Sequence, residues 1–170
     1  MNSVCLGRVA ILIITIGLGA CGVSPERQSN TQHHRGDTST NIIAKPSSQL
    51  SQQSYRCQNP ESYRHQVVGS GYCVALLQRC SRIPLTKFWR QGPKVKGREL
   101  LPGTIIATFK SGRYPNVTGY HSASYISQNE RGIWVWDQWQ GQPVHKRLIR
   151  FKSGRGIASN DGDAYSVVIK

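Results

Sequence analysis

Apolar residues along this 170-residue chain gather in two regions separated by a long polar stretch. The first region is the run 9–16, preceded by Arg8 and followed by small residues at Gly17, Gly19 and Ala20. A basic residue, a short apolar run and a small-residue exit describe an export signal, and the run is too short for a membrane span. From Gly22 to about Gln53 the chain is mostly Ser, Thr, Gln and Asn. Such a segment cannot bury enough surface to offset the entropy of ordering, and it is expected to be a tether. The second region begins near Tyr55. An apolar run after the turn Gly69-Ser70-Gly71-Tyr72 predicts a helix from Cys73 to about Arg82. Residues 87–92 read as a polar, aromatic-bearing connection, and Leu101-Pro102-Gly103 as a turn. Strands are then predicted at 104–109, 121–127, 132–139, 144–151 and 164–169, from β-branched and apolar residues bounded by Gly, Pro, Asn and charged turns. A helix followed by an antiparallel sheet is an α+β arrangement.

The first apolar run ends in Leu18-Gly19-Ala20-Cys21, which resembles the lipobox of a bacterial lipoprotein. The resemblance implies cleavage before Cys21 and diacylation of its thiol, which makes an anchor and not a transmembrane domain. Gly22 beside Cys21, with no aspartate there, resembles the sorting pattern for the outer membrane of a Gram-negative cell. The expected organisation is a signal peptide at 1–20, a lipidated cysteine and disordered tether at 21–54, and one domain at 55–170 without internal repeats. A monomer on the outer membrane, facing the periplasm, is the expected state. The formal net charge is +14, and removal of the signal with its Arg8 leaves +13. Such a surface attracts anions. An exported lipoprotein does not meet cytoplasmic nucleic acid, so the expected partners are wall polymer, anionic lipid or an acidic protein; the charge equally serves solubility.

Five cysteines become three once Cys5 leaves with the signal and Cys21 is lipidated: Cys57, Cys73 and Cys80. An odd number in an oxidising envelope leaves one thiol free when two pair. On a helix, Cys73 and Cys80 are seven residues or about 10 Å apart, beyond a disulfide's reach. Cys57 must take one of them. Pairing with Cys80 leaves Cys73 free at the helix N-terminus, where the macrodipole favours a thiolate; pairing with Cys73 makes the segment structural.

A thiol nucleophile needs an imidazole and a polar group to orient it. His121 stands at a strand start. His65 lies in a polar segment and His145 in a basic strand, and both are weaker candidates; His33 and His34 fall in the tether without ligand-spaced neighbours. In Gly132-Ile-Trp-Val-Trp-Asp-Gln-Trp139, two-residue alternation puts Ile133, Val135 and Asp137 on one face and Trp134, Trp136 and Gln138 on the other. Only one of Asp137 and Gln138 can face His121, and the pattern leaves the choice open. The tryptophans read as core or interface.

These residues carry a resemblance. Gly-Ser-Gly-Tyr-Cys-Val-Ala-Leu at 69–76, Leu-Pro-Gly-Thr-Ile-Ile-Ala-Thr-Phe at 101–109, Gly-Arg-Tyr-Pro-Asn at 112–116 and Ile-Trp-Val-Trp-Asp-Gln-Trp at 133–139 are similar to the BPSL0067 family, within the NlpC/P60 and CHAP cysteine peptidases. The resemblance implies a papain-like α+β fold and cleavage of amide bonds in peptidoglycan. It matches Cys73 to the nucleophile, His121 to the general base and Asp137 to the orienting residue, with Gln138 the alternative. The chain departs from the pattern in having Asp-Gln-Trp where CHAP-like sequences have Glu-Gln-Asn, and the small residues Ser122-Ala123-Ser124 after the histidine.

The function expected is a lipid-anchored thiol amidohydrolase acting on peptidoglycan or its stem peptides. Tyr72, Trp89, Tyr114 and the loop 111–119 are expected to line the substrate groove. A contrasting expectation is an inactive module that uses the cleft to hold wall material or an envelope protein, and a third is a toxin-like amidase delivered to rival cells. No cofactor or metal is expected: the chain has no CxxC pair, HExxH or phosphate loop, and Asp161-Gly162-Asp163 offers too few ligands for calcium.

Overall fold

A computed structural model describes residues 46–170. The expected signal, the lipidated Cys21 and most of the expected tether lie outside the described residues. Helix α1 spans Pro46–Gln53 and helix α2 Cys73–Cys80. Six strands follow: β1 Arg90–Lys94, β2 Ile105–Thr108, β3 Ser122–Asn129, β4 Gly132–Trp139, β5 Gln142–Arg150 and β6 Tyr165–Ile169. They form one antiparallel sheet in the order β1-β6-β2-β3-β4-β5. The architecture is α+β, as the pattern predicts.

Alternation along the central strands builds a core on each face. Ile105, Ala107 and Val168 pack with Leu76 and Leu77 of α2, Trp89 and Val144. Ile106, Ala123, Val135, Tyr165 and Val167 pack on the other face beneath the half-buried Leu50, Leu100 and Phe151. Both faces of β2 are covered, so all four of its residues are buried. That is why it reads as a continuous apolar run rather than an alternating one.

Two elements depart from expectation. Strand β1 carries Gly92 and Pro93, which strands ordinarily avoid. It forms at the sheet edge against β6, with an irregular register between Gln91 and Lys94 that accommodates the proline's missing N–H. A side chain at Gly92 would meet Ile169 Cγ2 at 2.6 Å, so the close approach to β6 requires glycine. Helix α1 occupies the C-terminal end of the stretch expected to be tether. Its last turn is held by the sheet: Lys170 donates through its backbone N–H to Gln53 and through Nζ to Gln52, and Ser54 pairs with Ile169.

The remaining differences are at ends. Helix α2 stops at Cys80 rather than Arg82, because Ser81 Oγ donates to Leu77 O and accepts from Ile83 N–H, diverting the backbone from another turn. The β3–β4 hairpin is tighter than expected, with Asn129 paired to Gly132. A disulfide joins Cys57 to Cys80 across 23 residues, and Cys73 is free. Closing a loop of that length contributes on the order of 3 kcal/mol, and it ties the C-terminal end of α2 to the segment that bonds Gly103.

Candidate active site

The turn before α2 is built so that Cys73 opens the helix at the cleft. Gly69 and Gly71 take left-handed φ values of 56° and 78°, conformations that side chains disfavour. Tyr72 is the extended N-cap residue and contributes no side-chain cap. The turn is fixed instead by Gln138 of β4, whose Oε1 accepts from Val68 N–H at 2.9 Å while Nε2 donates to Val68 O at 2.8 Å and to Tyr72 O at 2.9 Å. Gln138 therefore faces the nucleophile's turn.

Asp137, one residue earlier, faces the other way. Its Oδ2 accepts from His121 Nε2 at 2.9 Å and from Arg147 Nε at 2.7 Å. The choice that alternation leaves open is thus decided by the fold: the carboxylate meets the imidazole and the amide holds the loop. His121 is placed by its backbone, which bonds Thr108 in both directions, N–H to Oγ1 at 2.9 Å and C=O from N–H at 3.0 Å. With Nε2 committed to Asp137, Nδ1 is the ring nitrogen left for the thiol. Trp139 covers the group edge-on, its ring 6.2 Å from His121 and 4.8 Å from His145, with the Arg147 guanidinium 5.0 Å above it.

The electrostatics favour a charged pair. Burial opposes ionisation of Cys73, but hydrogen bonding and charge from His121, with smaller help from Tyr114 and Ser122, outweigh it and bring the thiol down to about 6. Burial also opposes a charged imidazole, but Asp137 and Cys73 outweigh it and raise His121 to about 9. At neutral pH the two are thiolate and imidazolium. Asp137 is buried, yet His121 and Arg147 hold its carboxyl below the usual carboxylate range.

A cleft of about 860 Å³ opens over this group, lined by Tyr72, Cys73, Tyr114, His121, Trp139 and Arg147, with residues 116–120 and Ile157 at its sides. Tyr72, Tyr114 and much of the loop 111–119 therefore line it. Trp89 does not. Its side chain is fully buried, with Nε1 donating to Pro84 O at 2.8 Å, because its large apolar ring fills the space between α2 and the sheet. His65 is exposed and apart from the cleft lining. His145 Nε2 stands 3.8 Å from Asp137 Oδ1, the carboxylate oxygen that His121 does not bond. A separate cavity of about 720 Å³, along residues 96–101 and Phe151, is lined by no cysteine, serine, threonine or histidine. The carboxylates of Asp161 and Asp163 accept from the backbone N–H groups of Lys152, Ser153 and Gly154, and so clasp the β5–β6 connection.

Arg147 and Gln138's grip on the turn escape a reading of the sequence. The only local signal for Arg147 is its alternation with His145 along β5. Nothing in that pattern places it against Asp137 until the β4–β5 register pairs Asp137 with His145 and Val135 with Arg147.

Comparison with known proteins accords with this geometry. A family described as Domesticated amidase effector 2 matches residues 47–168. A type VI secretion amidase effector 2 protein of Salmonella typhi is 44% identical over 96 residues, 53% of this chain and 71% of the relative. Domesticated amidase effector 2 of Ixodes scapularis is 33% identical over 121 residues, 66% of this chain and 82% of the relative. The solved structure of a type 6 secretion amidase effector 2 superposes with a TM-score of 0.60 at 35% identity, over 68% of this chain and 95% of that one. The matched span takes in α2, strands β1 to β5, all but one residue each of α1 and β6, and every residue of the cleft, and on it the chain belongs to the domesticated amidase effector 2 family.

Proposed function

We propose that this amidase cleaves amide bonds in peptidoglycan peptides by a Cys-His-Asp mechanism. The observation that carries the reading is a free thiol at a helix N-terminus that shares one cleft with a histidine whose Nε2 bonds a buried carboxylate. The Cys73 thiolate attacks the carbonyl carbon, and the charge passes to the carbonyl oxygen. Backbone N–H groups of the first turn of α2, which have no partner within the helix, receive that oxygen. Imidazolium at His121 then gives its proton to the departing amine and leaves a thioester. Water, deprotonated by the now neutral His121, cleaves the thioester, and the proton returns with Cys73 restored as thiolate. Asp137 keeps the imidazole oriented and stabilises its charged form.

The names of the relatives support amidase chemistry, and the basic surface suits acidic stem peptides. A Cys73 locked in a disulfide would exclude catalysis, and Cys73 is free, which favours the enzyme over the inactive module. We further propose a lipid anchor at Cys21 and a tether that carries the domain toward the wall. The four motifs that resemble the BPSL0067 family lie within the span matched by the domesticated amidase effector 2 family.

The test is digestion of purified sacculi by the mature protein, with released fragments identified by mass spectrometry. New amine and carboxyl termini are expected from the wild type and none from Cys73→Ala, a loss of at least 10³-fold. Equal digestion by both proteins, or none by either, sinks the proposal.

A further inference from the structure

The loop before β3 and the first residue of β3 bring two hydroxyls, those of Tyr114 and Ser122, into the neighbourhood of Cys73. Tyr114 Oη lies 3.4 Å from Cys73 Sγ. The Tyr114 ring is buried and packed against Trp89, with centroids 5.0 Å apart, and Trp89 is itself pinned by its bond to Pro84. The turn before it is closed by reciprocal backbone bonds between Lys110 and Arg113, at 2.9 and 3.0 Å. The phenol therefore has little freedom to turn away. Ser122, the first residue of β3, is wholly buried, and its Oγ has no hydrogen-bond partner among the described residues. The Ser122 hydroxyl nonetheless lies close enough to the Cys73 thiol and the Tyr114 phenol for hydrogen bonding from it to lower each.

A buried hydroxyl without a partner is costly, and native structures seldom leave one. Next to a neutral thiol, a weak acceptor, Ser122 gains little. Next to a thiolate it gains a strong acceptor, and so does Tyr114. Burial, then the charge of Cys73 and its bond, push Tyr114 upward, so the phenol keeps its proton and serves as a donor throughout. Both groups are thus satisfied in the ionised state of the nucleophile and poorly satisfied in the protonated one.

We propose that Tyr114 and Ser122 form a hydroxyl cradle for the Cys73 thiolate, making them determinants of how much nucleophile is present at neutral pH. Tyr114 contacts the reacting sulfur and Ser122 acts as a positioning residue behind it. The small serine at 122, one after the histidine, is then a requirement of this site, because a larger apolar residue would remove the donor. The inference rests on Cys73 being the nucleophile, but its test needs no substrate.

The experiment is the rate of Cys73 alkylation by iodoacetamide as a function of pH, read on the Cys73 peptide of the non-reduced full-length protein by mass spectrometry. Wild type, Tyr114→Phe, Ser122→Ala and the double variant are compared. Removing a donor to an ionised acceptor is expected to raise the midpoint by about one pH unit for Tyr114→Phe, less for Ser122→Ala, and most for the double variant. Tyr114→Phe keeps the ring that packs on Trp89. Should it fail to fold, Ser122→Ala carries the test alone. Lowered thermal stability with unchanged midpoints in the folded variants would assign the hydroxyls a structural role and overturn the proposal. Wild-type protein that fails to digest sacculi but shows these shifts would sink the amidase reading and leave the cradle standing.

Discussion

Asp137 joins two positive groups at one oxygen, since Oδ2 accepts from both His121 and Arg147. The guanidinium holds the carboxylate in place and ionised, and the carboxylate in turn raises the histidine. The sign of the pH dependence follows from the two shifts. Thiolate is lost as the pH falls through about 6 at Cys73, and imidazolium is lost as the pH rises through about 9 at His121. The expected profile of kcat/KM on a soluble wall peptide is a bell with limbs near those values, highest in the interval between them. A rate that keeps rising above the upper limb would show that the imidazolium does not supply the leaving group's proton. At this scale the residue types were legible: a cysteine after a glycine turn, a histidine at a strand start and an acid in an apolar strand. Arg147 was not, because in the sequence it is one of many basic residues.

At the scale of elements, β4 does two jobs through its two-residue alternation. One face sends Asp137 to the histidine, and the other sends Gln138 to the turn that aims α2. Truncation of Gln138 to alanine leaves the buried N–H and C=O of Val68 and the C=O of Tyr72 without these partners. The expected cost is about 2–4 kcal/mol in urea unfolding, with loss of amidase activity at temperatures where the protein is still folded. Unchanged stability together with full activity would show that the glycine turn holds itself. The alternation on β4 is visible in the sequence, but which of the two neighbours meets His121 depends on which face of the sheet α2 covers. Strand β1 was invisible for a related reason: Gly92 and Pro93 argue against a strand locally, and only the edge of β6 makes one there. Helix α1 likewise owes its place to contacts with the last strand, more than 110 residues away, as in the bond from Lys170 Nζ to Gln52.

At the scale of the whole molecule, the proposed lipid anchor rests on the short N-terminal apolar run and Cys21, and the proposed attraction to the wall on the basic charge. Metabolic labelling with palmitate in a lipoprotein-processing host is expected to mark the wild-type chain and place it in the membrane fraction. Cys21→Ala is expected to abolish both. An unlabelled, freely soluble wild-type chain would sink the anchor. What the sequence determined by itself is what depends on composition, period and spacing. The polar stretch, the helix opening at Cys73, most of the sheet and the set of residues able to do thiol chemistry are all written locally. Spacing along α2 also ruled out a bond between Cys73 and Cys80 and left two pairings for Cys57. What only the tertiary structure decided is whatever depends on register and on which surfaces meet. This includes the Cys57–Cys80 bond, Asp137 rather than Gln138 at the histidine, Arg147 behind it and Trp89 in the core. It also includes the Tyr114 hydroxyl at the sulfur. Each of these joins groups that are distant along the chain, and a pattern of neighbours carries no information about such distances until the sheet has closed them.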